Sequence, residues 1–351
     1  MKSFKLFLGT LVGSILLVSC NKEELPVFAS LGNYENGIFV LNEGNAAAGS
    51  VSFIKNNSLF VNQNIFAAEN PTASGIGGYV QSIFFDGDKA FIISGSNKIT
   101  VVNRYTFKLI GTVESGLANP RYGVVVDGKA YVTNSKTNSF ENPATGNTDD
   151  YISVINLSTL QAESIININA IADKIAFISG KIYITNGTYG EGNSLTIIDP
   201  LNNTIIKTLT FGNSPNSMEE SNGNLYVLCS NFATASELVK VNLATDEIAS
   251  TLVLPNALGN AQNLNVENGN IYFTVDSKVF SSPLNSASIS ETPLFTSTAT
   301  TLYGFTVKNT KIYLSDAKDY DSDGGVFIYS TSGTLVNQFT VGLIPNGFYF
   351  N

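Results

Sequence analysis

The sequence predicts an all-β fold, a seven-bladed β-propeller with four-stranded blades, and three observations predict it. First, a short apolar run recurs seven times: NGIFVLNEG (Asn36 to Gly44), DKAFIISGS (Asp88 to Ser96), GKAYVTNS (Gly128 to Ser135), GKIYITNG (Gly180 to Gly187), GNLYVLCSN (Gly223 to Asn231), GNIYFTVDS (Gly269 to Ser277) and TKIYLSDA (Thr310 to Ala317). Second, the aromatics Phe91, Tyr131, Tyr183, Tyr226, Tyr272 and Tyr313 within these runs stand 40, 52, 43, 46 and 41 residues apart, near the length of a four-stranded propeller blade. Third, most copies are entered through an Asn-Gly, Asp-Gly or Ser-Gly pair, which tolerates the positive φ of a two-residue hairpin turn. At 351 residues the chain is long for one compact core, and helical periodicity is nearly absent, so repeated small sheets are expected.

In chain order, Met1 to Ser19 read as a secretory leader: Lys2 and Lys5 make a basic start, an apolar stretch follows from Leu6 to Val18, and small residues precede the cut. That stretch is too short to span a membrane as a helix. LVSC, Leu17 to Cys20, resembles the bacterial lipobox, in which the cysteine is acylated and becomes the mature N-terminus; an ordinary signal peptide with a chance cysteine is the alternative. NKEE, Asn21 to Glu24, resembles the acidic export signal of surface lipoproteins of the Bacteroidota. The expected organisation is a lipoprotein signal peptide over 1–19, a lipidated tether over 20–33 and the propeller over 34–351.

The third repeat serves as a template for the blade: GVVVDG (Gly123 to Gly128), KAYVTN (Lys129 to Asn134), YISVIN (Tyr151 to Asn156) and QAESIININ (Gln161 to Asn169). Matching third strands are SVSFI (Ser50 to Ile54), ITVVN (Ile99 to Asn103), LTIID (Leu195 to Asp199), LVKVN (Leu238 to Asn242) and VFIYS (Val326 to Ser330). Repeat one begins at its second strand, while the chain ends in an unpartnered run, NGFYFN, Asn346 to Asn351. If that run completes the first blade, the ring closes and no edge is left free.

Composition narrows the function. The 19 basic and 28 acidic residues give a net charge of −9, and −11 if Lys2 and Lys5 leave with a leader, which argues against nucleic acid and against adhesion to anionic lipid. The chain has no histidine, so the usual imidazole base, the Ser-His-Asp triad, most zinc sites and His-ligated haem are excluded. Of two cysteines, Cys20 ends the leader and Cys229 falls inside a strand as a small buried hydrophobe.

The turns from first to second strand are mostly tight, whereas the opposite face carries the second-to-third loops and the blade crossings. Those vary in length up to the insertion at Ser135 to Asp150, so binding is expected on that face. Aligned on Arg121, the first strands place Gln81, Asp173, Asn216, Gln262, Tyr303 and Asn346 at equivalent positions, a polar ring at the mouth of the channel. A solvated rim, which any propeller needs, accounts for such a ring as well as a ligand site does; the arginine, the aspartate and the amides suit a polar ligand. Tyr79, Tyr122, Tyr151, Tyr189, Phe232, Tyr303 and Tyr320 fall in or beside the same loops and offer flat apolar area with polar tips. Finally, DAKDYDSDGG (Asp316 to Gly325) contains Asp319, Asp321, Asp323 and Gly324 in the spacing of the first half of a calcium loop. The later bidentate glutamate is missing, which favours a plain acidic loop over a structural Ca²⁺ site. No other cofactor is expected.

Across Asn36 to Asn351 the pattern resembles the YVTN-type seven-bladed propellers, with YVTN itself at Tyr131 to Asn134, YITN at Tyr183 to Asn186 and YVLC at Tyr226 to Cys229. The lipobox, the DAKDY loop and the closing PNGFYF (Pro345 to Phe350) resemble more narrowly the surface propeller lipoproteins of the Bacteroidota, some of which capture cobalamin and pass it to a TonB-dependent transporter. That resemblance implies a lipid-anchored, outer-membrane surface protein; the ligand does not follow from it, because propellers host many functions. The first expectation is a non-enzymatic binding protein that catches a corrinoid or similarly bulky polar ligand across the loop-rich mouth, with Gln81, Arg121, Tyr122, Gln262 and Tyr303, taken from the polar ring and its aromatics, as the contacts. A protein- or glycan-interaction module of an outer-membrane complex is the second expectation. A propeller lyase or dehydrogenase ranks last, because the chain lacks histidine and offers no convincing carboxylate constellation.

Overall fold

The computed structural model describes residues 29–138 and 141–351. The leader, Cys20 and the tether as far as residue 28 lie outside the described residues. From Leu31 onward the chain forms one unit of seven four-stranded antiparallel sheets. Numbering blades in chain order, the innermost strands are Pro345–Phe350 for blade 1, Val80–Asp86, Pro120–Val126, Ile175–Ile178, Ser214–Ser221, Gln262–Glu267 and Leu302–Lys308 for blade 7. The recurrent runs form the second strands, as their patterning requires. Among the described residues no helix is long and apolar enough to cross a membrane.

A strand alternates its side chains between two faces, and in each blade both faces are covered. In blade 1, Ile38 and Val40 join a buried cluster with Tyr313, Val326 and Ile328 of blade 7, while Phe39 and Leu41 join one with Val80, Ile83 and Ile92 of blade 2. The same division repeats at every boundary, giving seven interblade cores among the described residues. Burial on both faces is why the second strands read as unbroken apolar runs instead of alternating ones. Their recurrent aromatics are nearly inaccessible, Phe39 and Tyr183 at 0%, and the tyrosine hydroxyls reach into the next blade. Tyr131 donates to the carbonyl oxygen of Pro200 and to Asn203 Oδ1, and Tyr183 to Asp246 Oδ1 at 2.8 Å.

Ring closure is as the sequence predicts. Pro345–Phe350 pairs antiparallel with Gly37–Asn42, Phe350 opposite Ile38 and Tyr349 opposite Phe39. Arg104 of blade 2 clasps the end of this strand: its Nε donates to Asn351 Oδ1 and its Nη2 to the Phe350 carbonyl, while its guanidinium lies 3.9 Å from the Phe85 ring centroid. Asn351 Nδ2 in turn donates to the carbonyls of Tyr34 and Arg104. Tyr34 is 4% exposed, packed edge-on against Phe53 and Phe107.

The first-to-second turns have the backbone that their sequences call for. Asp127 and Gly128 sit at φ 47° and 76°, the left-handed pair of a type I′ turn. Blade 7 makes the same turn with Asn309 at φ 52° and Thr310 at φ 59°. A β-branched residue is strained there because its Cβ crowds the following carbonyl.

Two outcomes are expected from this architecture. Deleting Asn346 to Asn351 removes the inner strand of blade 1 and leaves Gly37–Asn42 as an open edge facing half-empty cores; the truncated protein is expected to melt at least about 10 °C lower or to aggregate, and a melting temperature within about 2 °C of wild type would show that closure contributes little. In the opposite direction, Thr310→Gly relieves a strained turn and is expected to stabilise by about 0.5–1 kcal/mol in urea unfolding, whereas Thr310→Val is not.

Candidate functional site

At the mouth of the channel every innermost strand carries the same irregularity. In blade 2 the register skips between Val80 and Ser82, in blade 3 between Pro120 and Gly123, in blade 5 between Pro215 and Ser217, in blade 6 between Gln262 and Asn265 and in blade 7 between Leu302 and Phe305. The closing strand skips between Pro345 and Gly347, and in blade 4 Asp173 and Lys174 share Thr185 as their backbone partner. In each case two residues oppose one on the second strand, a β-bulge that turns a side chain out of the strand's alternation. The seven aligned positions, Gln81, Arg121, Asp173, Asn216, Gln262, Tyr303 and Asn346, all fall at this bulge.

Hydroxyls on the second strand hold the bulge open. The Thr133 hydroxyl accepts from Tyr122 N and donates to the Asp173 carbonyl of the next blade. Thr185 Oγ1 accepts from Lys174 N, and Ser315 Oγ accepts from Gly304 N and donates to the Pro345 carbonyl. The YVTN-type asparagines do a neighbouring job. Asn134 Oδ1 accepts from Ala118 N, and Asn186 Nδ2 donates to the Ile171 carbonyl at 2.6 Å, so each fastens an incoming blade crossing.

Two cavities of about 500 Å³ and 310 Å³ occupy the channel, sharing Arg121, Tyr122, Lys174, Tyr189 and Asn263 as walls. The ring residues differ in what they have left to offer. Arg121 is tied on both sides: Nε donates to Asp173 Oδ1 at 3.1 Å and Nη1 to Gln81 Oε1 at 2.5 Å, while Gln81 Nε2 rests on the Tyr79 carbonyl. Burial is the largest single influence and opposes the Arg121 charge, but Asp173 together with Tyr122 and Tyr189 outweighs it and holds the guanidinium pKa above its ordinary value. Asn216 is spent on bracing, with Nδ2 on Ser230 Oγ and the Ala261 carbonyl and Oδ1 accepting from Ser217. Asn346 Nδ2 likewise donates to the Val80 carbonyl. Gln262 is exposed and touches Asn260 Oδ1. Tyr303 donates to Glu43 Oε2 at 3.0 Å and meets Tyr320 edge-on at 5.9 Å between centroids.

Of the aromatics, Tyr122, Tyr189, Tyr303 and Phe232 line the cavities; Tyr189 and Phe232 are 66% and 74% exposed. Tyr79 and Tyr151 do not line either one. Tyr151 is half-buried, its hydroxyl directed at the Gly116 carbonyl, and Tyr79 serves through its backbone at φ 51°. In the acidic loop, Asp319 closes its own turn, accepting from the backbone of Asp321 and Ser322 and from the Ser322 hydroxyl. Lys318 Nζ covers the Asp323 carbonyl. Among the described residues no group of three or more His, Cys, Asp or Glu is arranged to hold a metal ion.

Three charged residues of the channel were not singled out by sequence reasoning: Glu43, Lys174 and Glu219. Lys174 Nζ lies 2.5 Å from the Tyr122 hydroxyl and 3.8 Å from its ring centroid. Glu43 is pushed up by burial, against the pull of the Tyr303 hydroxyl and of Arg121. Burial also pushes Glu219 up to about 7, with Lys308 the opposing influence. For Lys174 and Glu219 a charge at or on an otherwise apolar or amide-rich inner strand is the one signal the sequence offered; Glu43 follows a second strand and had none.

Because the folded pKa of Glu219, about 7, lies above the 4.5 of a free glutamate, folding takes up a proton between those values. Its cost is absent below about pH 4.5, grows as pH rises and is complete above about pH 7. Glu219→Gln is therefore expected to match wild type in melting near pH 4.5 and to exceed it above pH 7. Allowing for solvent reaching the carboxyl from the cavity, the gain is about 1–2 kcal/mol; a constant difference across that range would contradict the assignment.

Among solved structures the chain is similar to a quinonprotein alcohol dehydrogenase-like protein from Bacteroides thetaiotaomicron, with 15% identity, 92% of this chain and 80% of that one covered, and a TM-score of 0.69. It is similar also to the hydrazine synthase of Kuenenia stuttgartiensis, with 15% identity, 78% and 92% covered and a TM-score of 0.57. BamB from Moraxella catarrhalis matches with 14% identity, 90% and 86% covered and a TM-score of 0.54. At such identities these likenesses establish the propeller fold alone. No curated protein matches the chain. A family model matches residues 36–341, nearly the whole propeller, and by that match the chain belongs to the DUF5074 family, a domain of unknown function.

Proposed function

We propose that the chain is a non-catalytic binding protein that takes a bulky polar ligand at the loop-rich mouth of its channel. The observation that carries this reading is the composition of the channel wall: about 500 Å³ and 310 Å³ of connected space, polar groups converging from all seven blades, and aromatic faces of Tyr122, Tyr189, Tyr303 and Phe232 at the opening. A wall of this size with a few placed polar groups suits a small-molecule site. The absence of histidine from the chain and the commitment of Arg121 to Asp173 favour binding over acid-base chemistry.

The finer reading follows the resemblance. A lipidated Cys20 would tether the propeller at the cell surface, a corrinoid would be the ligand, and a TonB-dependent transporter would receive it. A corrinoid exceeds either cavity, so it would rest on the aromatic rim with only its side chains entering the channel. The exposure of Tyr189, Phe232 and Tyr320 also favours a second reading, in which this ridge grips a glycan or a protein partner.

Calorimetric titration separates these. Cyanocobalamin is expected to bind, and Tyr122→Ala with Tyr189→Ala to weaken it at least about tenfold without lowering the melting temperature by more than a few degrees. Cobalamin binding that survives the double substitution would remove the ligand from this mouth. Binding of a glycan, with no response to cobalamin, would favour the second reading.

A further inference from the structure

Five charged side chains line the two channel cavities: Glu43, Arg121, Asp173, Lys174 and Glu219. Three of them satisfy one another. Arg121 pairs with Asp173 at 3.1 Å, and Glu43 receives the Tyr303 hydroxyl within reach of the Arg121 charge. The remaining two have no such partner. Lys174 has only the hydroxyl and ring face of Tyr122, and among the described residues neither it nor Glu219 forms an ion pair. Both line the same 500 Å³ cavity. Lys308 is the opposing charge at Glu219, but among the described residues it forms no ion pair with it. A charge in a cavity wall without an ion-pair partner is incompletely compensated, so two opposite charges of this kind in one cavity make an arrangement that a ligand of complementary charge would complete.

Strand register gives their relative depth. Lys174 sits at the bulge beside Thr185, the second residue after Tyr183, whereas Glu219 pairs with Tyr226, the residue equivalent to Tyr183 in the next blade. Glu219 is thus two residues deeper along the channel axis than Lys174, roughly 7 Å at the rise of a β-strand. Ala176, Asn216, Met218 and Asn265, all uncharged, line the same cavity.

Resting on the reading of the channel as a binding site, we infer that its ligand is zwitterionic, presenting an anionic group such as a carboxylate or phosphate to Lys174 near the mouth and an ammonium or other cationic donor to Glu219 deeper in. A carboxylate ligand group would take the Lys174 Nζ as donor, and Tyr122, already beneath that Nζ, would keep the lysine aimed into the cavity. The ammonium would find an acceptor-only partner in ionised Glu219; the Asn265 amide and Thr306 hydroxyl, which line the same cavity, are already bonded to each other.

The test uses ω-amino acids as probes at about pH 8, where both protein charges are present. In calorimetry or ligand-observed NMR, 6-aminohexanoate is expected to bind at least about tenfold more tightly than hexanoate or hexylamine, and more tightly than the shorter 4-aminobutyrate. Glu219→Gln, an isosteric change, is expected to bring 6-aminohexanoate to the level of hexanoate while leaving hexanoate unchanged. Lys174→Met is expected to bring it to the level of hexylamine; if that variant melts early, Lys174→Gln replaces it. Equal affinity for the three six-carbon probes, no binding of 6-aminohexanoate, or a charge preference that survives both substitutions would overturn the inference. The broader reading fails separately: if any larger ligand loses affinity on Tyr122→Ala with Tyr189→Ala, the channel is a binding site whatever the charge of its ligand, and if none does, both readings fall.

Discussion

Closure of the ring is the constraint on which the rest of this structure depends. No blade has a core of its own. Each four-stranded sheet is apolar on both faces and is covered only because another blade stands on either side. Seven interblade cores can all be filled only if the seventh blade meets the first, and the pairing of Pro345–Phe350 with Gly37–Asn42 makes that junction continuous with the backbone. The junction is reinforced outside the sheet by Arg104, which bonds the chain's last two residues and stacks on Phe85. Blade 1 is thereby tied to blade 2 by these hydrogen bonds as well as by the apolar cluster they share, while the contact with Phe85 fixes the guanidinium within blade 2.

The same closure sets where chemistry can occur. Side chains that follow strand alternation are consumed in interblade cores, so a regular propeller would have little but backbone to show its channel. The bulge at the head of each innermost strand breaks this rule locally. It inserts one residue beyond the alternation, and hydroxyls such as Thr133 and Ser315 satisfy the backbone that the insertion would otherwise orphan. These hydroxyls also bond the next blade, so the irregularity that frees a side chain for the channel strengthens the ring at the same point. Asn216 and Asn346 show the limit of the device: they sit at the bulge yet spend an amide N–H each on blades 6 and 2.

The fold was legible in the sequence because burial on both faces leaves an unmistakable pattern, an apolar run with an aromatic near its centre, repeated at blade length and entered through a turn whose positive φ restricts residue choice. The closing strand was legible by subtraction, from a first repeat without an inner strand and a last run without a partner. The site was legible only in part. Aligning the repeats on Arg121 located the bulge positions without revealing that they were bulges, and it could not separate residues turned to the channel from residues bracing it. Lys174 escaped notice because the bulge exposes two successive residues, Asp173 and Lys174, where alternation would send one of them into the core. Glu219 lies below the ring level, and Glu43 belongs to the end of a second strand; both reach the channel through three-dimensional placement that no spacing in the sequence encodes. Tyr151 lies on the expected face, with its hydroxyl directed at the Gly116 carbonyl and away from the two cavities.

The balance of charge in the channel is the last step of this reasoning. A solvated rim, the plainest explanation for polar residues at a propeller's mouth, would place charges where water satisfies them. That holds for the exposed amide of Gln262. It does not hold for Arg121, whose burial must be offset by Asp173, nor for Glu219, whose carboxyl is pushed up to about 7. Groups held at such a cost in a cavity wall, when an amide or an apolar side chain would pack there without it, are the usual mark of a recognition site. The Arg121–Asp173 pair resolves its cost internally, and so rigidifies the wall between blades 3 and 4. Lys174 and Glu219 have no ion pair of their own among the described residues, and on the reading proposed above it is there, and not at the Arg121–Asp173 pair, that a ligand's charges would be needed.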